Sequence, residues 1–73
     1  MKLTHLFKTD ISAGGNCPAV YGTDDGSLVI QGWDLAPDDA AQLIDRAHNE
    51  SGVKIPYDLA EKIADMVIAK RSA

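Results

Sequence analysis

Cys17 lies in Gly14-Gly15-Asn16-Cys17-Pro18, the stretch of this chain whose neighbours suggest reactive chemistry. A glycine-rich approach leaves backbone N–H groups free to lower a thiol pKa or to hold an oxyanion. The competing reading is a small apolar residue at the start of a strand, because cysteine is among the most buried residue types. His5 and His48 are too isolated in sequence to be assigned as its base, and they lack the short spacing of zinc ligands. A lone cysteine also excludes an internal disulfide framework and a multi-cysteine zinc site within one chain. A disulfide or metal shared between two protomers stays open.

The aspartates are read the same way. Asp24-Asp25-Gly26 looks like a fragment of a calcium loop, but the regularly spaced oxygen ligands and the closing glutamate are absent. Turn chemistry accounts for this pair. Asp38 and Asp39 are adjacent on an expected helix and do not face one point; preference for the positive end of the helix dipole accounts for them. Neither GxGxxG nor GxxxxGK[ST] occurs, so no phosphate-binding loop is expected. The residues therefore predict no enzyme, no cofactor and no metal.

Trp33 is the single tryptophan, beside Gly32 at the end of an apolar run. It either caps the core or anchors an interface, where tryptophan and tyrosine are enriched. A 73-residue chain with few aromatics needs its large side chains inside, which predicts a core position. Met66, Val67 and Ile68 make the last helical segment apolar on more than one side, a hint of a helix-mediated dimer or partner groove.

The elements that position these residues follow from local pattern. Residues 2–8 fit a short strand, a helical turn or an arm. Residues 9–16, with Ser12, Gly14, Gly15 and Asn16, read as a loop. Residues 17–22 and 27–33 are β-like and are joined by Asp24-Asp25-Gly26, which predicts a hairpin with Gly26 at positive φ. From Asp34 to His48 the period switches to helical, with Pro37 in the first turn and Ala40, Leu43, Ile44 and Ala47 forming a stripe. Val53-Lys54-Ile55 alternates like a short strand and stops at Pro56. Tyr57 to about Arg71 is the clearest helix: Leu59, Ala60, Ile63, Ala64, Met66 and Val67 form its buried face, and Asp58 and Lys62 are placed to pair at i,i+4. The expected fold is a single α+β domain over residues 1–73, a hairpin and a short third strand packed against two helices in the order β-β-α-β-α.

Composition bounds the rest. The chain is 45% apolar and 25% charged, as in an ordinary soluble globule. It has no membrane-spanning run and no visible signal peptide, which predicts a cytoplasmic protein. A domain this short buries only about 60% of its unfolded surface, so dimerisation is a plausible source of further stability. The net charge of −4 is uneven: residues 23–50 carry seven acids against Arg46 alone, while each flank carries a net +1. Nucleic-acid affinity comes from clustered positive charge, and this middle segment would repel a duplex.

The stretch Ser12-Ala13-Gly14-Gly15-Asn16-Cys17-Pro18-Ala19-Val20, followed by Asp25-Gly26-Ser27-Leu28-Val29-Ile30, resembles the glycine-glycine-asparagine-cysteine hairpin of the BldB-like developmental regulators of actinobacteria. That resemblance, over residues 12–33, implies a small acidic accessory, in some cases homodimeric, acting beside a helix-turn-helix transcription regulator. A second stretch, Gly52-Val53-Lys54-Ile55-Pro56-Tyr57-Asp58-Leu59, is similar to the strand–proline element of AbrB-like regulators and antitoxins. It implies an intertwined DNA-binding dimer, here with Lys54, Lys62, Lys70 and Arg71 as the basic residues. The leading expectation is a non-catalytic interaction module, homodimeric, contacting a regulator through Trp33, Asp34, Asp38, Asp39 and Asp45. The alternative is the antitoxin-like DNA binder.

Overall fold

The turn at Asp24-Asp25-Gly26 organises the first half of the molecule. In the computed structural model, which describes residues 1–11 and 17–72, Gly26 adopts a φ of 86°, a conformation that side-chain-bearing residues rarely take. The Thr23 hydroxyl donates to the Asp25 carboxylate and accepts the Ser27 N–H at 2.8 Å. Asp25 also accepts the Ser27 N–H, and these donors, Thr23 first, hold its carboxyl below the usual carboxylate range. The turn joins β2 (Ala19–Thr23) to β3 (Leu28–Gln31), so the expected hairpin is present. The part of the expected loop at 12–16 lies outside the described residues.

The third strand of the main sheet is at the other end of the chain from the one expected. β1 (Leu3–Lys8) pairs antiparallel with β2, giving the order β1-β2-β3. Leu6 is an extra residue between the paired His5 and Phe7, a bulge that turns Leu6 toward the same face as Gly22. That bulge breaks the two-residue alternation, which is why residues 2–8 also fit other conformations. β4 (Trp33–Asp34) and β5 (Val53–Lys54) form a separate antiparallel ribbon, so Val53-Lys54 does not extend the main sheet.

The first helix is much shorter than the stripe predicts. α1 is a single turn, Pro37–Ala40, followed by looser turns and by Asp45 at φ 56°. No side chain caps it at Ala36 and none of its residues is buried. Short helices are marginal in water unless tertiary packing covers their apolar face. Here Ile44 is 88% exposed, so the stripe has no surface to hold it. α2 (Tyr57–Ser72) fulfils the expectation of a long C-terminal helix. The architecture is thus α+β with antiparallel sheets, one long helix and one short one.

α2 lies against β2, and the core sits where they meet: Val20 and Leu59 are fully buried, with Ala19 nearly so. Register places Phe7, Val20 and Ile30 on one sheet face, yet Leu6, Leu28 and Ile30 remain substantially exposed. The chain exposes 5704 Å², whereas a compact monomer of 7.8 kDa exposes about 4,400 Å². Its radius of gyration is 13.8 Å against about 11 Å for a compact chain of this length. Among the described residues no helix is long and apolar enough to cross a membrane.

Gly32 is where the two sheets' connection is tightest. A Cβ there would meet the Lys54 carbonyl oxygen at 2.8 Å and the Ile55 side chain at 2.9 Å, while a Cβ at Gly22 would meet Leu6 at an ordinary 3.7 Å. Gly32→Ala is expected to destabilise the protein by about 1–3 kcal/mol, as overpacking against backbone does. Gly22→Ala should change it far less. Urea midpoints of the two variants check this, and equal midpoints would show that β5 and Ile55 do not press on Gly32.

Candidate functional site

Two regions were candidates for chemistry or contact: the Cys17 segment and the acidic stretch from Trp33 to Asp45. Cys17 is a free, half-buried cysteine whose carbonyl accepts the Gln31 side-chain amide at 3.2 Å. Gln31 in turn accepts the Tyr21 hydroxyl at 2.7 Å, and the His5 ring meets Tyr21 edge-on at 5.4 Å. His5 is therefore part of a polar layer on the sheet face, and His48 lies in the exposed segment after α1. Among the described residues, no side chain hydrogen-bonds the Cys17 thiol, and no three of His, Cys, Asp or Glu converge as metal ligands. The Gly14-Gly15-Asn16 approach lies outside the described residues.

Trp33 departs from its expected place in the core. It lies in the narrow β4–β5 ribbon, paired with Lys54, and its side chain is 39% exposed. Asp34 shares that ribbon, Asp38 and Asp39 lie in α1, and Asp45 holds the left-handed turn that aspartate tolerates better than most residues. All five side chains are exposed and lie within the segment from residue 33 to residue 45. Beside it, an open cleft of about 830 Å³ is lined by Leu28, Val29, Leu43 and Ile44, with Arg46 and Glu50 among its polar residues. Glu50 is held locally, since its carboxylate accepts the Ala47 N–H at 3.0 Å.

A third constellation escaped sequence reasoning. The Asp58 carboxylate accepts the Thr9 hydroxyl at 2.5 Å and the Asp10 N–H at 2.7 Å. Thr9 is fully buried, its N–H donates to the Pro18 carbonyl, and its hydroxyl oxygen accepts the Ile11 N–H. Lys62 donates to Asp10 at 2.8 Å and to the Lys8 carbonyl at 3.0 Å. Asp58 and Lys62 therefore do not close the expected i,i+4 pair; both reach across to the end of β1. Partners 48 to 54 positions apart leave no local signal in sequence. These bonds tie the start of α2 to the end of β1.

No family model, curated protein or solved structure matches this chain.

Hydrogen bonds from Thr9 first, then the Asp10 backbone, with the charge of Lys62 adding to them, hold the Asp58 carboxyl below its ordinary 3.8. A carboxylate depressed in the folded state contributes stability that is complete above its unfolded pKa and lost as pH falls through its folded pKa. Asp58→Asn is thus expected to lower stability at neutral pH and to flatten the loss of stability on acidification below about pH 4. Urea unfolding of both proteins across this range checks it. Parallel acid limbs would exclude Asp58 as a contributor.

Proposed function

We propose that this chain is a non-catalytic, cytoplasmic protein-interaction module that needs no cofactor and acts as a regulatory accessory to a basic partner. The observation that carries the reading is the stretch from Trp33 to Asp45, which presents a half-exposed tryptophan and four exposed aspartates outside any buried core. Aromatic anchors set among charges are how contact surfaces combine affinity with steering. The resemblance of residues 12–33 to the BldB-like proteins points to a helix-turn-helix regulator as the partner class. Such regulators carry basic surfaces that suit an acidic contact.

The antitoxin-like alternative draws on β5 and α2, where a short strand, Pro56 and a helix follow one another as that similarity implies. Of its four basic residues, Lys62 is engaged by Asp10 and the Lys8 carbonyl. Lys54, Lys70 and Arg71 then make a sparse cationic set on a chain of net charge −4. Counterion release favours the acidic-contact reading.

A tagged chain incubated with source-organism lysate, with and without nuclease, tests this. The expected outcome is nuclease-resistant retention of a helix-turn-helix protein, lost in a variant carrying Asp34→Lys, Asp38→Lys, Asp39→Lys and Asp45→Asn. Asparagine is used at position 45 because it keeps the left-handed backbone. Unchanged retention by a variant with native circular dichroism would remove the acidic face from the account. Recovery of DNA alone, weakening steeply with salt, would favour the alternative.

A further inference from the structure

We infer that α2 carries a self-association surface on the face turned away from the sheet, and that its occupant is the α2 of a second copy of this chain. The buried side of α2 is marked by Leu59, with Ile63 and Met66 half-buried beside it. At 3.6 residues per turn, Tyr57 and Ile68 stand within about 20° of the direction opposite Leu59. They are 88% and 61% exposed. Ala60, Ala64 and Arg71 on the same side are also exposed, as is Glu61. Tyr57, Glu61, Ala64, Ile68 and Arg71 recur at alternating intervals of four and three, the spacing of a coiled-coil seam.

Reflection about its midpoint, Ala64, pairs Tyr57 with Arg71, Ala60 with Ile68 and Glu61 with Val67. Two α2 helices set antiparallel with Ala64 against Ala64 bring Ile68 of each copy over Ala60 of the other. Arg71 of each then meets Tyr57 of the other and lies within one turn of its Glu61, joining a cation–π contact to an opposite-charge neighbour. The small residue at the centre lets the helices approach closely, and opposed dipoles favour the antiparallel sense. A twofold contact demands that one patch complement itself in this way. A parallel pair would instead set Glu61 beside Glu61 and Arg71 beside Arg71.

The chain as a whole exposes about 1,300 Å² more than a compact monomer of its mass, a surplus spread over the sheet face, the segment after α1 and α2 alike. A standard interface removes about 800 Å² from each partner. The seam runs about 21 Å along the helix, and Val67 at its flank adds apolar area. This surface is separate from the acidic stretch, so either assignment can fail without the other.

Sedimentation equilibrium of the full chain, with cysteine crosslinking, tests the pairing. The wild type is expected to show a monomer–dimer equilibrium. Ala64→Glu, which sets two carboxylates together at the twofold, should weaken the dimer by roughly tenfold or more while leaving circular dichroism unchanged. In a Cys17→Ser background, Ala64→Cys should crosslink to a dimer under mild oxidation, and Ala69→Cys, off the seam, should not. A folded chain that stays monomeric at every concentration overturns the inference. So does a dimer indifferent to Ala64→Glu that crosslinks equally at both positions, because that dimer uses another face. Should Ala64→Glu unfold the chain, the crosslinking pair decides alone.

Discussion

The first turn of α2 is fastened to the end of β1 by one carboxylate. Asp58 takes the Thr9 hydroxyl and the Asp10 N–H, and one turn later Lys62 takes Asp10 and the Lys8 carbonyl. Four side chains thereby fix the direction in which a helix of about 24 Å leaves the sheet. The apolar part of the joint is small, with Val20 and Leu59 at its centre. Directional bonds therefore carry a larger share of the positioning than in a domain with a broad core. Thr9 is buried, so the bonds it makes are shielded from competing water.

That arrangement explains the shape of the molecule. A helix anchored at its start and lying against β2 covers the middle of one sheet face, leaving Leu6, Leu28 and Ile30 partly in solvent. Its outer face and the segment from Trp33 to Asp45 are likewise uncovered. The two surfaces differ in chemistry: one sets Tyr57, Ala64 and Ile68 beside Glu61 and Arg71 along a helix, the other is acidic with a single large aromatic.

Local chemistry made some of this legible in the sequence. Asp24-Asp25-Gly26 specified the hairpin because only glycine readily takes the φ of 86° found at Gly26. The 3.6-residue period of the C-terminal segment specified α2. Other features needed information that a local window lacks. The apolar stripe through Leu43 and Ile44 had the right period for a helix but no surface to pack on, and one turn survives. The Leu6 bulge hid β1, and its pairing partner lies beyond a loop. Trp33 stands outside the core because it pairs in a second ribbon with Lys54, a partner far along the chain. Asp58 and Lys62 had the spacing of an ion pair, but the end of β1 offered both better partners. The exposure of Asp34, Asp38, Asp39 and Asp45 was legible from their charge, and that of Trp33 was not.

This fold leaves large apolar side chains in solvent, Ile44 at 88% and Ile68 at 61% exposed. The most direct test of self-association through such surface is the dependence of thermal unfolding on protein concentration. Anything that binds the native state and not the unfolded one raises the apparent stability by mass action. A Tm that climbs steadily as the concentration of the pure chain is raised from micromolar to hundreds of micromolar is the predicted result. A Tm that stays constant across that range, with a sharp two-state transition, would contradict the account by showing a monomer complete in itself.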